Sequence, residues 1–252
     1  MSASRSVFVA VPTYSGAIDA PAALSLMRAR DEAIAMGWDC TVNFRALDSL
    51  LPRCRNVMLT DFLRSGATDF VFWDADIATA PGAFARLLRH EVDFVGGVYR
   101  CRSDPERYIF RKLPGPLAED PATGLVEVEG IGTGFMRITR AAVERMIAAY
   151  PDLWVNDRGA GRLVWLFDFE LRDHQYYSED FVFCRRWREA GGKVWIDPDL
   201  PFHHIGQKTF SGRFADHWRR ALAALTSADD LAAAQAALDA FAAEAGPPHA
   251  TL

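Results

Sequence analysis

Ser6-Val7-Phe8-Val9-Ala10-Val11 is an almost unbroken apolar run closed by Pro12. Such a run reads as a strand buried on both faces, as in a parallel sheet. The period then changes: Leu24, Met27 and Ile34 recur at helical spacing within Ala20 to Met36, and Gly37 stops the helix. Trp38 to Phe44 predicts a second strand. Pro52 sits where a helix opens, with Val57, Met58, Phe62 and Leu63 as its apolar face before Gly66. Asp69 to Trp73 predicts a third strand, Pro81 to His90 a helix with Phe84, Leu87 and Leu88 inward, and Val92 to Val98 a fourth strand. This alternation over the first hundred residues predicts an α/β fold with a mostly parallel central sheet flanked by helices.

The pattern loosens afterwards. Cys101 to Gly124, rich in Pro, Gly and charge, reads as a long loop or irregular hairpin. Leu125 to Ile138 reads as β-rich, Arg140 to Tyr150 as a helix, and Asn156 to Gly161 as turns. Glu179 to Ala190 reads as a helix ended by Gly191-Gly192, and Lys193 to Ile196 as a strand. His203 and His204, after Pro198 and Pro201, fall in a loop or irregular extended stretch. From Asp216 onward, Leu222, Leu225, Leu231, Leu238 and Phe241 in an alanine-rich background predict one or two amphipathic helices.

Composition narrows the classes. Half of the 252 residues are hydrophobic, enough for a substantial core and against a disordered chain. A net charge of -5 argues against a large nucleic-acid surface. Cys40, Cys54, Cys101 and Cys184 form no Cys-x-x-Cys pair, and reduced thiols in a cytoplasmic protein are the simplest account. Met1 to Arg5 lacks the features of a signal peptide, and no apolar run reaches the ~20 residues of a membrane helix. Peripheral membrane association stays open.

Candidate chemistry clusters after the third strand. Asp74-Ala75-Asp76 stands at a strand's carboxyl end, where open α/β sheets bind ligands and where two carboxylates can share a hard cation; the alternative is a turn bonded to its own amides. Arg53 and Arg55 lie in the first turns of a helix, against its dipole, so an anion should compensate them: Asp48 or Asp61, or a nucleotide phosphate, with Asn56 adding a hydrogen bond. Glu179 and Asp180 follow Ser178, which is a good N-cap, and they suit either the helix dipole or a base for an acceptor hydroxyl. His203 or His204 could ligate a metal, and carboxylates with one imidazole suit manganese better than magnesium. Gly130 to Gly134 lacks the following helix of a dinucleotide fingerprint and reads as close backbone approach beside a ligand, or a tight turn. Trp73, Trp187 and Trp195 read most simply as core, with Trp73 flanking the site, and Cys184 as packing.

In this order the blocks resemble the GT-A glycosyltransferases, especially bacterial proteins similar to family 2. They are Val9 to Tyr14, Arg53 to Asn56, Phe72 to Asp76, Gly132 to Met136, Ser178 to Asp180, and His204 to Gly206. The resemblance implies a GT-A domain over residues 1–212, with a nucleotide-sugar half (1–100), an acceptor and catalytic half (101–212), and a C-terminal helical extension (213–252). It implies a UDP- or GDP-sugar bound by Pro12, Thr13, Tyr14, Arg53, Arg55, Asn56, Trp73, Asp74, Ala75 and Asp76. Asp74, Asp76 and His204 would hold the divalent metal, Mn2+ before Mg2+. Asp180 would deprotonate the acceptor in an inverting reaction, Glu179 would help place it, and Gly132, Thr133 and Gly134 would line the sugar or acceptor pocket. A nucleotidyltransferase would want a glycine-rich, arginine-bearing loop after the first strand, which Pro12 to Gly16 does not supply. A non-catalytic nucleotide-sugar-binding scaffold is the third reading. Donor sugar, base, acceptor and oligomeric state are open at this stage.

Overall fold

The computed structural model describes residues 5–206 and 208–223. The chain opens with β1 (Ser6–Thr13), α1 (Ala20–Ala35), β2 (Asp39–Ala46), α2 (Leu51–Ser65), β3 (Asp69–Trp73), β4 (Ile77–Thr79), α3 (Ala83–Arg89) and β5 (Phe94–Gly96). It continues through β6 (Phe110–Arg111), β7 (Val126–Val128), β8 (Gly130–Ile131), β9 (Phe135–Thr139) and α4 (Arg140–Ala149). Two hairpins follow, β10 (Trp154–Asp157) with β11 (Gly161–Val164) and β12 (Glu170–Arg172) with β13 (Gln175–Tyr177). Last come α5 (Glu179–Glu189), β14 (Val194–Ile196), β15 (Pro201–His204), β16 (Phe210–Arg213) and α6 (Phe214–Ala223).

The central sheet has seven strands in the order β2-β1-β3-β9-β5-β14-β7. β2, β1 and β3 are parallel, β9 runs against both β3 and β5, and β14 runs with β5 but against β7. Only β9 and β7 therefore oppose the common direction. β3 shows why the sheet is covered on both faces. Its alternate residues go to opposite sides, Phe70 and Phe72 joining a core with Phe62, Phe167 and Phe183, and Val71 and Trp73 joining one with Leu26, Phe84 and Leu87. Each such buried side chain contributes about 1.5–3 kcal/mol. Strands from both sides of residue 100 alternate in this one sheet, since β5 lies between β9 and β14.

Two expectations change. α1 forms where the period predicts it, yet Leu24, Met27 and Ile34 are each at least half exposed; the buried face is Ala22, Ser25, Leu26, Ala29 and Ala33. Small residues let α1 lie close to the sheet, which leaves the larger ones outside. His203 and His204 lie not in a loop but in β15, which pairs with β4 and β16. The 156–161 turn is the tip of the β10–β11 hairpin. α6 docks on the body through Phe214, whose ring meets Tyr108 at 5.3 Å and Phe110 at 5.1 Å. Leu225, Leu231, Leu238 and Phe241 lie outside the described residues. All four cysteines are free. No helix among the described residues is long and apolar enough to cross a membrane.

Candidate functional site

The Asp74 to Asp76 segment is held by three backbone bonds from distant parts of the chain. Asp74 N–H donates to Gly134 O (3.0 Å), Asp19 N–H to Ala75 O (3.0 Å), and Ile205 N–H to Asp76 O (2.8 Å). The topology makes these contacts. β9 runs antiparallel to β3 with Phe135 opposite Trp73, so the residues before β9 return to the carboxyl end of β3. β15 pairs with β4 so that His204 faces Ile77, one residue past Asp76. The segment is thus a turn fixed from outside rather than by its own amides alone.

An open cleft of about 470 Å³ lies over it, between the carboxyl ends of β1 and β3. Pro12, Thr13, Tyr14, Arg55, Asp74, Ala75 and Asp76 line it, with Asp48 and Leu51 beside them. Arg53, Asn56 and Trp73 do not line it. Arg53 is spent on Asp48 and Asp157, with Nε 2.7 Å from Asp157. Asn56 donates to Pro52 O and Phe167 O and accepts from the amides of Leu166 and Phe167, which leaves no bond for a ligand. Trp73 is fully buried against Phe84 and Phe135, its indole N–H bonded to Ile77 O. Each of these three is already paired within the protein, and the anion compensating Arg53 is a carboxylate. Asp61 pairs with Arg64.

Arg55 is the exception. Its side chain is buried over the Phe72 ring at 4.9 Å, with Nε 3.2 Å from Glu179 and 3.7 Å from Asp180, and Nη2 3.5 Å from Asp74. Burial works against its charge, and Asp74, Asp180 and Glu179 more than offset it, so Arg55 holds its proton. Nη1 is buried and has no partner. In a folded protein such an orphaned donor asks for an acceptor.

The acids come from α5. Ser178 occupies the N-cap, but its side chain makes no capping bond, so the dipole is met by Glu179 and Asp180 themselves. Thr133 Oγ1 donates to Asp180 at 2.8 Å. Burial lifts the Asp180 carboxyl well out of the ordinary range, to about 7; Glu179 and Asp74 push the same way, and Arg55 and Thr133 oppose. Helix position alone would predict the reverse. Glu179 and Asp180 stand beside Arg55 rather than in the cleft lining, and a carboxyl that titrates near neutrality suits a general base.

Gly132 and Gly134 prove to be glycine because of neighbouring side chains. A Cβ on Gly134 would stand 2.6 Å from the Tyr99 hydroxyl and 2.8 Å from Asp74, and one on Gly132 would stand 2.8 Å from the Tyr99 hydroxyl. Tyr99, unremarked in the sequence reading, is buried and accepts a bond from Gly134 N–H (3.2 Å). Burial, then Asp74 and Asp180, hold its hydroxyl protonated far above the usual range. An aromatic residue with a polar tip just past the end of a buried strand was its one signal. Cys184 is packing: burial pushes its thiol up to about 12.

His204 and His203 separate cleanly. His203 is exposed with Nδ1 on Ser211 (2.7 Å). His204 has Nδ1 2.8 Å from Arg100 O, where it donates, which turns the Nε2 lone pair to Asp76 Oδ1 at 3.8 Å. Burial keeps it neutral. The other Asp76 oxygen is ion-paired to Arg102, a partner that lies 26 residues away in sequence and was not foreseen.

No protein-family model matches the chain, and no curated protein matches it. Among solved structures, it is similar to a glycosyltransferase involved in the glycosylation of the major capsid of PBCV-1, at 11% identity over 58% of this chain and 67% of that one, with a TM-score of 0.29. At that similarity the chemistry of this chain rests on the geometry of its own site.

Proposed function

We propose that the chain is a GT-A type glycosyltransferase, similar in its motif order to bacterial family 2, that moves a sugar from a UDP- or GDP-sugar to an acceptor hydroxyl with inversion. One observation carries this reading: a cleft at the carboxyl ends of β1 and β3 is floored by Asp74 and Asp76 and lined by Arg55 with its orphaned Nη1, while Asp180 stands 3.7 Å from that guanidinium. Pre-formed clefts of this size take small ligands, and a phosphate oxygen is the acceptor that a buried guanidinium lacks.

In the reaction the acceptor oxygen bonds to the anomeric carbon as the bond from that carbon to the diphosphate oxygen breaks. The electron pair leaves on the diphosphate, and the acceptor proton passes to Asp180. Glu179, bonded to Arg55, holds the guanidinium and helps place the acceptor. Thr133 fixes the Asp180 rotamer, and Pro12, Thr13 and Tyr14 form the wall for the nucleotide base.

A divalent cation, Mn2+ before Mg2+, would supply positive charge to the leaving diphosphate. The residues fit such an ion in part. Asp76 and the neutral His204 face each other with Nδ1 fixed by a carbonyl, the usual support of a ligating imidazole, and Asp74, two residues earlier, lies beside Arg55. Among the described residues no three His, Cys, Asp or Glu side chains stand close enough to cage a cation. A cation held by Asp76 and His204 and completed by diphosphate oxygens needs no such cage.

The test is a screen of UDP- and GDP-sugars for Mn2+-dependent hydrolysis by the wild-type chain and by Asp76→Ala. We expect at least one donor to be hydrolysed and the variant to lose about 100-fold or more, the scale of a lost electrostatic contact to the transition state, with an unchanged melting temperature. Equal turnover by both proteins would sink the reading.

A further inference from the structure

The β12–β13 hairpin is turned inside out. Residues opposite one another in its register share a face: Glu170 with Tyr177, and Leu171 with Tyr176. The face carrying charge is the one anchored to the protein. Glu170 pairs with Arg185 and Arg186, and Tyr177 lies under the Arg111 guanidinium at 4.4 Å. Leu171, Tyr176 and the preceding Phe169 are left outside, 83%, 40% and 46% exposed. The two rings lie 5.6 Å apart at 37°. Asp173 and His174, both at positive φ, close the tight turn between the two strands.

This apolar face runs straight into the catalytic end of α5, because β13 ends at Tyr177 and Glu179 opens the helix. The Tyr176 hydroxyl feels the charge of both Glu179 and Asp180. We propose that Phe169, Leu171 and Tyr176 form an acceptor platform for a pyranose ring, whose C–H face stacks on the aromatic pair while a hydroxyl reaches Asp180. Aromatic faces are electron-rich and sugar C–H groups weakly positive, so stacking adds to the burial of apolar area. The net charge of -5 disfavours an anionic lipid surface and tolerates a neutral polyol. The inference rests on the glycosyltransferase reading for its role of acceptor, and not for the binding itself.

The experiment separates the two. Saturation-transfer NMR without donor is run on methyl glucoside, galactoside, mannoside and N-acetylglucosaminide with the wild type, Phe169→Ala, Tyr176→Ala and the aromatic replacements Phe169→Tyr and Tyr176→Phe. At least one glycoside is expected to take up saturation at its ring C–H protons, with binding at least tenfold weaker in the alanine variants and retained in the aromatic ones. Both side chains are at the surface, and the amide spectra of the four variants check that the fold is kept. No glycoside binding to the wild type, or binding equal in Phe169→Ala and Tyr176→Ala, overturns the platform. Sedimentation with phosphatidylcholine–phosphatidylglycerol vesicles that depends on the same two rings also overturns it, in favour of a membrane surface. Glycoside binding with no nucleotide-sugar hydrolysis by the wild type would instead remove the glycosyltransferase reading and leave the platform.

Discussion

Arg55 carries its charge into a space where three carboxylates converge, and together they more than offset the burial that works against that charge. Its effect on Asp180 has a definite sign. Burial raises the Asp180 carboxyl to about 7 and Arg55 pulls it down. A carboxyl raised in the fold favours the protonated form there, so its contribution to stability is present at low pH and lost as pH rises through the folded value. Base activity is gained over the same interval. The acidic limb of kcat/KM for sugar transfer is therefore expected near neutrality, and Arg55→Lys, which cannot fork across the same carboxylates, should move that limb to higher pH. A limb that stays put or moves lower would show that Arg55 does not set this charge. Arg102 offers a second test. Its guanidinium occupies one oxygen of Asp76, so it would compete with a cation bound by that carboxylate. Arg102→Ala should bind Mn2+ more tightly, by several-fold for a half-exposed pair worth up to ~1 kcal/mol, measured by the loss of the free Mn2+ electron-spin signal. The place of Asp76 at a strand end was legible in the sequence, whereas its pairing with Arg102 and the approach of Tyr99 to Gly134 come only from segments that return to the strand end.

Among the elements, α2, β3 and α5 were legible because pattern and punctuation agreed: Pro52 opens α2, Gly66 closes it in a left-handed conformation, and β3 is buried throughout. α1 was legible in extent and not in facing. Its period has two apolar candidates, the large residues Leu24, Met27 and Ile34 and the small ones around Leu26, and the sheet selects the small set. Substitution makes the difference measurable. Leu26→Ala should cost about 2–4 kcal/mol and Met27→Gln under ~0.5 kcal/mol in urea unfolding; similar losses at both sites would reverse the facing. The hairpins between residues 154 and 177 escaped the sequence reading because their strands are short, and β12–β13 leaves its apolar face outside the core. That same property singles out Phe169, Leu171 and Tyr176.

At the scale of the molecule, the division at residue 100 was drawn from the change of pattern, whereas hydrogen bonding runs through it. β9 joins β3 to β5, and β5 is bounded on its other side by β14. A fragment of residues 1–100 keeps three parallel strands but loses one partner of β3 and both partners of β5. It is expected to show no cooperative unfolding transition, by circular dichroism with urea, whereas the full chain shows one; a sharp transition in the fragment would mean that the first half folds alone.

The insertion of β14 beside β5 also sets a clock on synthesis. Gly96 ends β5 and Ile196 ends β14, one hundred residues later. At ~5–20 residues per second the ribosome takes about 5–20 s to make that stretch. Throughout this interval the nascent chain carries β5, with Phe94 and Val95 destined for full burial, lacking a neighbour on that side. An unpaired apolar edge is a template for the wrong strand of another chain. Yield in a producing cell therefore depends on elongation speed and on whatever shields that edge, and slower synthesis lengthens the exposure.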